Sequence, residues 1–296
     1  MSAGHVVVLG SANVDLVVQV PRRPLAGETV LGSDVAVLPG GKGANQAAAA
    51  GWLGGEVHFA GCVGDDSYGE SLGAALHRAG VDTSRLRRSQ APTGMAFITV
   101  ADGDNSIVVA PGANYHVTAS DVDGLENLLT PSSVLVLQVE LPVPIVERAA
   151  ALAVRRGARV LLNLAPATEV PRQLLAHTDV LVVNESEAVF LAGEATDWAQ
   201  VSQRLIAMGP ASVVVTLGPT GALVNDRGDV TRVPAPTVEA VDTTGAGDAF
   251  VGALAVWLAR DVGLVPAAEF AVRAASATVG TPGAQASYEV LGGLRG

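Results

Sequence analysis

Short apolar runs stopped by glycine or a polar turn recur along this chain, and most lead into a stretch with helical character. Val6–Leu9 reads as a strand buried on both faces, because it is apolar throughout instead of alternating, and Val57–Cys62, Val134–Leu137, Arg159–Leu162, Val180–Val183 and Ser212–Thr216 read as further strands. The segments after them predict helices over Tyr68–Ala79, Pro142–Arg155, Glu185–Leu191, Ala249–Leu258 and Ala267–Val279, and an alanine-rich helix opens at Gly43. A strand-then-helix rhythm of this kind predicts an α/β fold: a doubly wound, mostly parallel central sheet flanked by helices.

Two regions break the rhythm. Val14–Val20 alternates apolar and polar residues, Thr29–Leu38 reads as extended, and Thr93–Val100 and Ser106–Val109 form a hairpin around Ala101-Asp102-Gly103-Asp104-Asn105. These pieces predict a small separate β-sheet lid, residues 13–40 and 93–112, on a large domain of residues 1–12, 41–92 and 113–296. The lid strands leave one apolar face without chain of their own to cover it, so a two-fold homodimer through paired lids is expected.

Composition narrows the function classes. A chain of 296 residues, 49% hydrophobic and 16% charged, builds a large core and is not disordered. A net charge of -11 argues against a nucleic-acid surface, and the group Arg85, Arg87 and Arg88 reads as a solvated face. Cys62 is the only cysteine, which excludes an intrachain disulfide, and the five histidines lack HExxH spacing. Val6–Leu9 is too short for a signal sequence or a membrane span, so a cytoplasmic protein without a membrane partner is expected.

The densest chemistry lies in Asp242-Thr243-Thr244-Gly245-Ala246-Gly247-Asp248-Ala249-Phe250. Small residues at 245–247 let an anionic oxygen reach the free N–H groups that open the next helix, and Asp248 sits where a general base would stand. Tight packing, with Asp248 as a dipole partner, would equally explain these residues. Pro39-Gly40-Gly41-Lys42-Gly43-Ala44-Asn45-Gln46 is not a Walker A loop, since Ala36 and Gly43 stand where its first glycine and its Ser/Thr belong. It does offer glycine backbone, a cation in Lys42 and an amide in Asn45, a set suited to a polyol or an anion. Asn13 and Asp15 share a strand face and could clamp neighbouring hydroxyls, or serve as a turn cap and a solvent-facing acid.

Glu140, Asn184 and Thr216 each follow or end a strand, which places them on one carboxyl-end rim. Asn184 and Glu187 have capping-box spacing and could also hold water on Mg2+. Thr216-Leu217-Gly218-Pro219-Thr220-Gly221 reads as a glycine turn able to pack tightly or to touch a nucleotide phosphate, and Asp65-Asp66 as a helix cap.

In this order, from Asn13 and Asp15 through Gly40–Asn45, Glu140, Asn184–Glu187 and Thr216–Gly218 to Asp242–Asp248, the motifs resemble the PfkB family of sugar kinases, and within it the kinases of D-ribose. The resemblance spans Val6 to Ser287 and implies transfer of a phosphoryl group from ATP to the sugar's 5-hydroxyl. It makes Asp248 the catalytic base and Gly245, Ala246 and Gly247 the anion hole. It gives the sugar to Asn13, Asp15, Gly41, Lys42, Asn45 and Glu140. Mg2+ and the ATP phosphates fall to Asn184, Glu187, Thr216 and Gly218, together with Gly245 and Gly247. A monovalent cation, K+, falls to Asp242, Thr244, Thr278, Thr281, Gly283 and Ser287.

Two positions depart from the pattern. Thr281, followed by Pro282, stands where these kinases commonly carry arginine; main-chain carbonyls would keep the cation site with altered affinity. Val272 stands where an asparagine near the adenine is frequent, which bears on nucleotide selectivity. Sister kinases of another pentose, a deoxysugar or a nucleoside are the rival readings, as is a non-catalytic sugar-binding regulator. An aromatic content of 4% disfavours stacking of a nucleoside base, and a regulator needs no base at position 248.

Overall fold

In chain order the strands are β1 (Val6–Leu9), β2 (Asn13–Gln19), β3 (Ala36–Gly40), β4 (Val57–Gly64), β5 (Asp82–Ser89), β6 (Gly94–Ala101), β7 (Asp104–Ala110), β8 (Val134–Leu137), β9 (Arg159–Asn163), β10 (Val180–Asn184), β11 (Ser212–Thr216), β12 (Ala222–Asp226) and β13 (Asp229–Val233). The helices are α1 (Lys42–Trp52), α2 (Ser67–Arg78), α3 (Ala119–Asp123), α4 (Val143–Arg156), α5 (Arg172–Ala176), α6 (Glu185–Ala192), α7 (Trp198–Ile206), α8 (Ala246–Ala259), α9 (Leu264–Thr278) and α10 (Ala284–Ser287). The structure is a computed structural model that describes residues 4–101, 104–194 and 197–295. Asp102 and Gly103 of the predicted hairpin turn, and the first three residues of the predicted large domain, lie outside the described residues.

Nine strands form one sheet in the order β13-β12-β11-β10-β9-β8-β1-β4-β5, parallel from β11 to β5, with β12 and β13 added antiparallel. The apolar runs explain why both faces are covered. Val6 and Val8 of β1 join one core with Val134, Val136, Leu161, Val180, Val182 and Val214, while Val7 and Leu9 join a second with Leu135, Leu137, Leu162, Leu181 and Val215. The two-residue period of a strand sends alternate side chains to opposite layers. Residues of α1, α2, α8 and α9 fill the first layer, and residues of α3 to α7 fill the second.

α8 is apolar almost all round and lies against α1 and α9. Its contact with α1 depends on small residues: a Cβ at Gly252 would meet the Gln46 carbonyl oxygen at 2.6 Å and the Ala49 Cβ at 2.9 Å. This close approach brings the first turns of α1 and α8 together on the carboxyl-end rim.

The second sheet has the order β3-β2-β6-β7, with β2 and β6 parallel and the outer pairs antiparallel. Of the predicted extended run Thr29–Leu38 only Ala36–Leu38 is strand, the first part of β3. Turn chemistry wins upstream: Ser33 donates its N–H to the Gln19 carbonyl (2.8 Å), and its hydroxyl accepts the Gln19 N–H (3.1 Å). The 85–88 arginines sit on β5 at the edge of the main sheet, where Arg85 and Arg88 are exposed, as a solvated face predicts, and Arg87 is half-buried. Arg87 pairs with Asp121 at 2.8 Å, and Arg85 donates to the Gly124 carbonyl at 2.6 Å. Charge on an edge strand blocks further pairing, which is why no apolar period marked it. Among the described residues no helix is long and apolar enough to cross a membrane.

Candidate active site

The first turn of α8 stands at the rim with Gly245 as N-cap in a left-handed turn (φ 79°). A Cβ at Gly245 would meet the Tyr288 hydroxyl at 2.5 Å and Ala284 Cβ at 2.6 Å, so this glycine is required by packing and by backbone conformation. Gly247 differs, since a Cβ there would meet nothing within 4 Å. The Ala246 N–H bonds the Thr243 carbonyl (3.2 Å) and that of Ala249 bonds the Gly245 carbonyl (2.8 Å). The N–H groups of Gly245, Gly247 and Asp248 have no acceptor among the described residues. The open donors expected at 245–247 are therefore 245, 247 and 248, with Ala246 already engaged.

The Asp248 carboxylate is buried beneath these donors and held from α1. Asn45 Nδ2 donates to its Oδ2 (3.0 Å) and Gln46 Nε2 to its Oδ1 (2.9 Å). Burial pushes its pKa above the usual carboxylate range, and the nearby Glu140 charge adds to this. Lys42 and the two amide donors act in the opposite direction.

The residues expected to hold a sugar gather on the same side. Glu140, in the loop after β8, accepts the Lys42 N–H (3.0 Å) and the Ser11 hydroxyl (2.5 Å), both on Oε2. Asn13 opens β2 and accepts the Asn114 amide on Oδ1 (2.7 Å). Asp15 follows two residues on, paired with Leu38 of β3. Its pKa rises to about 7, first through burial and then through the Glu140 and Asp248 charges, with Lys42 opposing. Gly41, with φ 87°, caps α1, whose first residue is Lys42, the only lysine in the chain. Burial works against the Lys42 charge, but the carboxylates of Asp248, Glu140, Glu187 and Asp15 outweigh it and hold its pKa above the usual lysine value. One cation thus faces four acids at this site.

On the other side of the α8 turn lies a cavity of about 430 Å³, lined by Thr216, Gly218, Thr243, Gly247, Phe250, Val272 and further small or apolar residues. No amide, carboxylate or basic side chain lines it. Thr216 ends β11 in register with Asn184 at the end of β10. Asn184 and Glu187 make the capping box: Asn184 Oδ1 accepts the Glu187 N–H and Glu187 Oε2 the Asn184 N–H, each at 2.8 Å. Glu187 Oε1 keeps no protein donor among the described residues, so capping leaves one oxygen for a hydrated Mg2+. Burial raises the Glu187 pKa, Asp248 adds to it, and the Asn184 N–H and Lys42 oppose.

Behind the α8 turn, Asp242 accepts N–H groups from Thr244 (2.9 Å) and Gly283 (2.8 Å). Burial raises its pKa, but these donors outweigh it and hold the carboxylate below the usual range. Thr278 and Ser287 are buried, with hydroxyls turned to the Ala275 carbonyl (2.8 Å) and the Ala284 carbonyl (2.7 Å), and Thr281 is exposed. The set draws Asp242, Thr244 and Gly283 together, and the Thr278 and Ser287 hydroxyls are engaged elsewhere.

Sequence reasoning passed over several residues that shape the site. Gln46 donates to Asn163 and accepts from Gln138 on the side of Asp248 held by α1, Gln285 Nε2 donates to Asn45 Oδ1 (3.1 Å), and the Tyr288 hydroxyl donates to the Gly245 carbonyl (2.8 Å). Ser11 and Asn114 orient Glu140 and Asn13. Gln138 and Asn163 carried a signal, since each ends an apolar run on the rim in the manner of Asn184 and Thr216. Nothing local marked Tyr288 or Asn114.

A family model described as pfkB family carbohydrate kinase matches residues 3–291. The ribokinase of Haemophilus influenzae is 39% identical over 95% of this chain and 94% of its own length, and that of Bacillus subtilis 41% over the same shares. A deoxyribokinase of Salmonella typhi is 34% identical over 96% of this chain and 95% of its own. Among solved structures, ribokinase from Thermotoga maritima superposes with a TM-score of 0.89 at 34% identity, covering 97% of this chain and 98% of that one. Arabidopsis thaliana ribokinase, solved with ribose and ATP, gives 0.88 at 33% identity, covering 98% of both chains. A match over nearly the whole chain, on a fold that carries a buried acid under open helix donors, establishes that this protein belongs to the pfkB family of carbohydrate kinases, phosphotransferases with an alcohol as acceptor.

Proposed function

We propose that this protein phosphorylates D-ribose at its 5-hydroxyl with ATP, acting in the cytoplasm. The observation that carries the reading is Asp248: a buried carboxylate held by Asn45 and Gln46, in the same first turn of α8 that leaves N–H donors free. Ribokinases among its full-length relatives support ribose as the acceptor. The deoxyribokinase relative favours a deoxysugar as the second reading. Against it, Asn13, Asp15 and Glu140 supply several polar partners, and a sugar lacking a hydroxyl would leave one of them unpaired.

Phosphoryl transfer depends on positioning and charge stabilisation. In the proposed step Asp248 takes the proton of the 5-hydroxyl while that oxygen forms a bond to the γ-phosphorus. The bond from phosphorus to the bridging oxygen breaks, and its electron pair leaves with ADP. The N–H groups of Gly245, Gly247 and Asp248 stabilise the charge that develops on the phosphoryl oxygens, helped by the positive end of α8. Asn13, Asp15, Gly41, Lys42, Asn45 and Glu140 orient the sugar, while Thr216 and Gly218 border the nucleotide. Glu187 and Asn184 would hold the water shell of Mg2+, which when bound would supply neutralisation of phosphate charge. Asp242, Thr244, Thr278, Thr281, Gly283 and Ser287 would hold a K+ behind the anion hole, where it would supply positive charge.

The lid points to a homodimer. Val37, Leu16, Phe97 and Val108 stand in register across the second sheet, and Val37, Phe97 and Val108 are 52%, 47% and 69% exposed. A second copy of the same sheet would cover this row. The direct test of the function is a panel of D-ribose, 2-deoxyribose, other pentoses and nucleosides with MgATP, with and without K+, read as ADP release. D-ribose giving the highest kcat/KM, raised by K+, is expected; preference for another acceptor overturns the reading.

A further inference from the structure

Beneath Asp248 lies a set of buried amides that neither the sugar face nor the nucleotide cavity uses. Gln46, Gln138 and Asn163 are 0%, 1% and 8% exposed. They come from α1, from the residue after β8 and from the end of β9. We infer that Gln46 is a positioning residue for the base Asp248, and that Gln138 and Asn163 fix which way its amide points. The inference rests on the reading of Asp248 as the base.

The geometry leaves one arrangement. Gln46 Nε2 donates both to Asp248 Oδ1 (2.9 Å) and to Asn163 Oδ1 (3.0 Å), and Gln46 Oε1 accepts from Gln138 Nε2 (2.6 Å). Asn163 is itself locked, because its Nδ2 donates to the main-chain carbonyl of Val182 in β10 (3.2 Å). Turning the Gln46 amide over would set its oxygen against two oxygens and its nitrogen against the nitrogen of Gln138. The direction of the amide is thereby read from a backbone carbonyl of the central sheet and passed to the base.

Gln138 shows what this arrangement costs. Its Oε1 is buried with no hydrogen-bond partner, lying over Gly10 where a Cβ would come within 2.2 Å of it. An unmade bond at a buried carbonyl is unfavourable. The alternative rotamer would put this oxygen against Gln46 Oε1 and free the Gln46 amide to turn, so one bond is forgone to keep the donor on Asp248.

Loss of that donor makes the carboxylate easier to protonate. A general base works only when ionised, so the acid limb of the kcat/KM profile moves to higher pH. Gln46→Met and Gln138→Met test this, with circular dichroism to check folding. Gln46→Met is expected to lower kcat at neutral pH about tenfold, and Gln138→Met about threefold, with partial recovery at alkaline pH. The KM for ribose stays within about twofold, because neither residue lies on the sugar face. Gln138 does not touch Asp248, so movement of its acid limb separates amide orientation from simple contact. An unshifted limb in both folded variants, or an equal loss at every pH, overturns the inference. If Gln46→Met does not fold, Gln138→Met decides alone. Normal turnover by Asp248→Asn would instead overturn the reading of the base itself.

Discussion

Asp248 loses its hydration at the foot of α8 and receives in return the side-chain amides of Asn45 and Gln46. Its raised pKa shows that burial outweighs those donors, which suits a group that must accept a proton. Asp248→Asn keeps the shape and removes the basicity. It is expected to lower kcat by about 10²- to 10⁴-fold while calorimetry still shows ribose binding. Asp15 gives a second prediction. Its carboxyl titrates near pH 7 in the fold against 3.8 as a free group, so the native state holds a proton that the unfolded chain has released. The stability this group contributes is full below about pH 4, falls as pH rises, and is gone above about pH 7. Asp15→Asn removes the effect: the ligand-free variant should melt higher than wild type at pH 8, by more than it does at pH 5. Its KM for ribose should rise about 10- to 100-fold, through loss of a charged hydrogen-bond partner.

At the scale of elements, the α8 turn divides a polar face from an apolar cavity, and the two sides discriminate differently. In the proposed reading the cavity takes the purine base; with threonine and serine hydroxyls but no amide or charged side chain in its described lining, it would separate purines mainly by shape. Apolar pockets separate close analogues by about 10- to 200-fold. GTP is therefore expected to replace ATP with kcat/KM within about 100-fold, and a preference beyond about 10³-fold would contradict this account of the cavity. The core strands and the α8 turn were legible because their signals are local: unbroken apolar runs for β1, β8 and β10, and small residues beside an acid for Gly245–Asp248. β5 was not, since its arginines find partners such as Asp121 that are distant in sequence. The pairing of the amide set was hidden for the same reason, Gln46 standing 92 residues from Gln138, 117 from Asn163 and 202 from Asp248. Asn184 and Glu187 were legible as a capping box, and that local role is what their geometry shows.

For the whole molecule, the second sheet serves both readings: β2 carries Asn13 and Asp15, and the same sheet carries an exposed apolar row. Its exposed row of Val37, Phe97 and Val108 would be covered in a lid-to-lid dimer, whereas Asp248 and its donors lie within one chain. Light scattering at micromolar concentration should give twice the chain mass, and Val108→Glu, placing a charge in that row, should shift it to the monomer. A monomeric wild type would contradict the assembly. The central claim, transfer to a ribose hydroxyl, is tested most directly by ³¹P NMR of the product formed from D-ribose and MgATP. The account predicts a single new phosphate monoester, coupled to the protons on C5, appearing together with ADP. An ester at another carbon, or no ester above a control lacking enzyme, would contradict it.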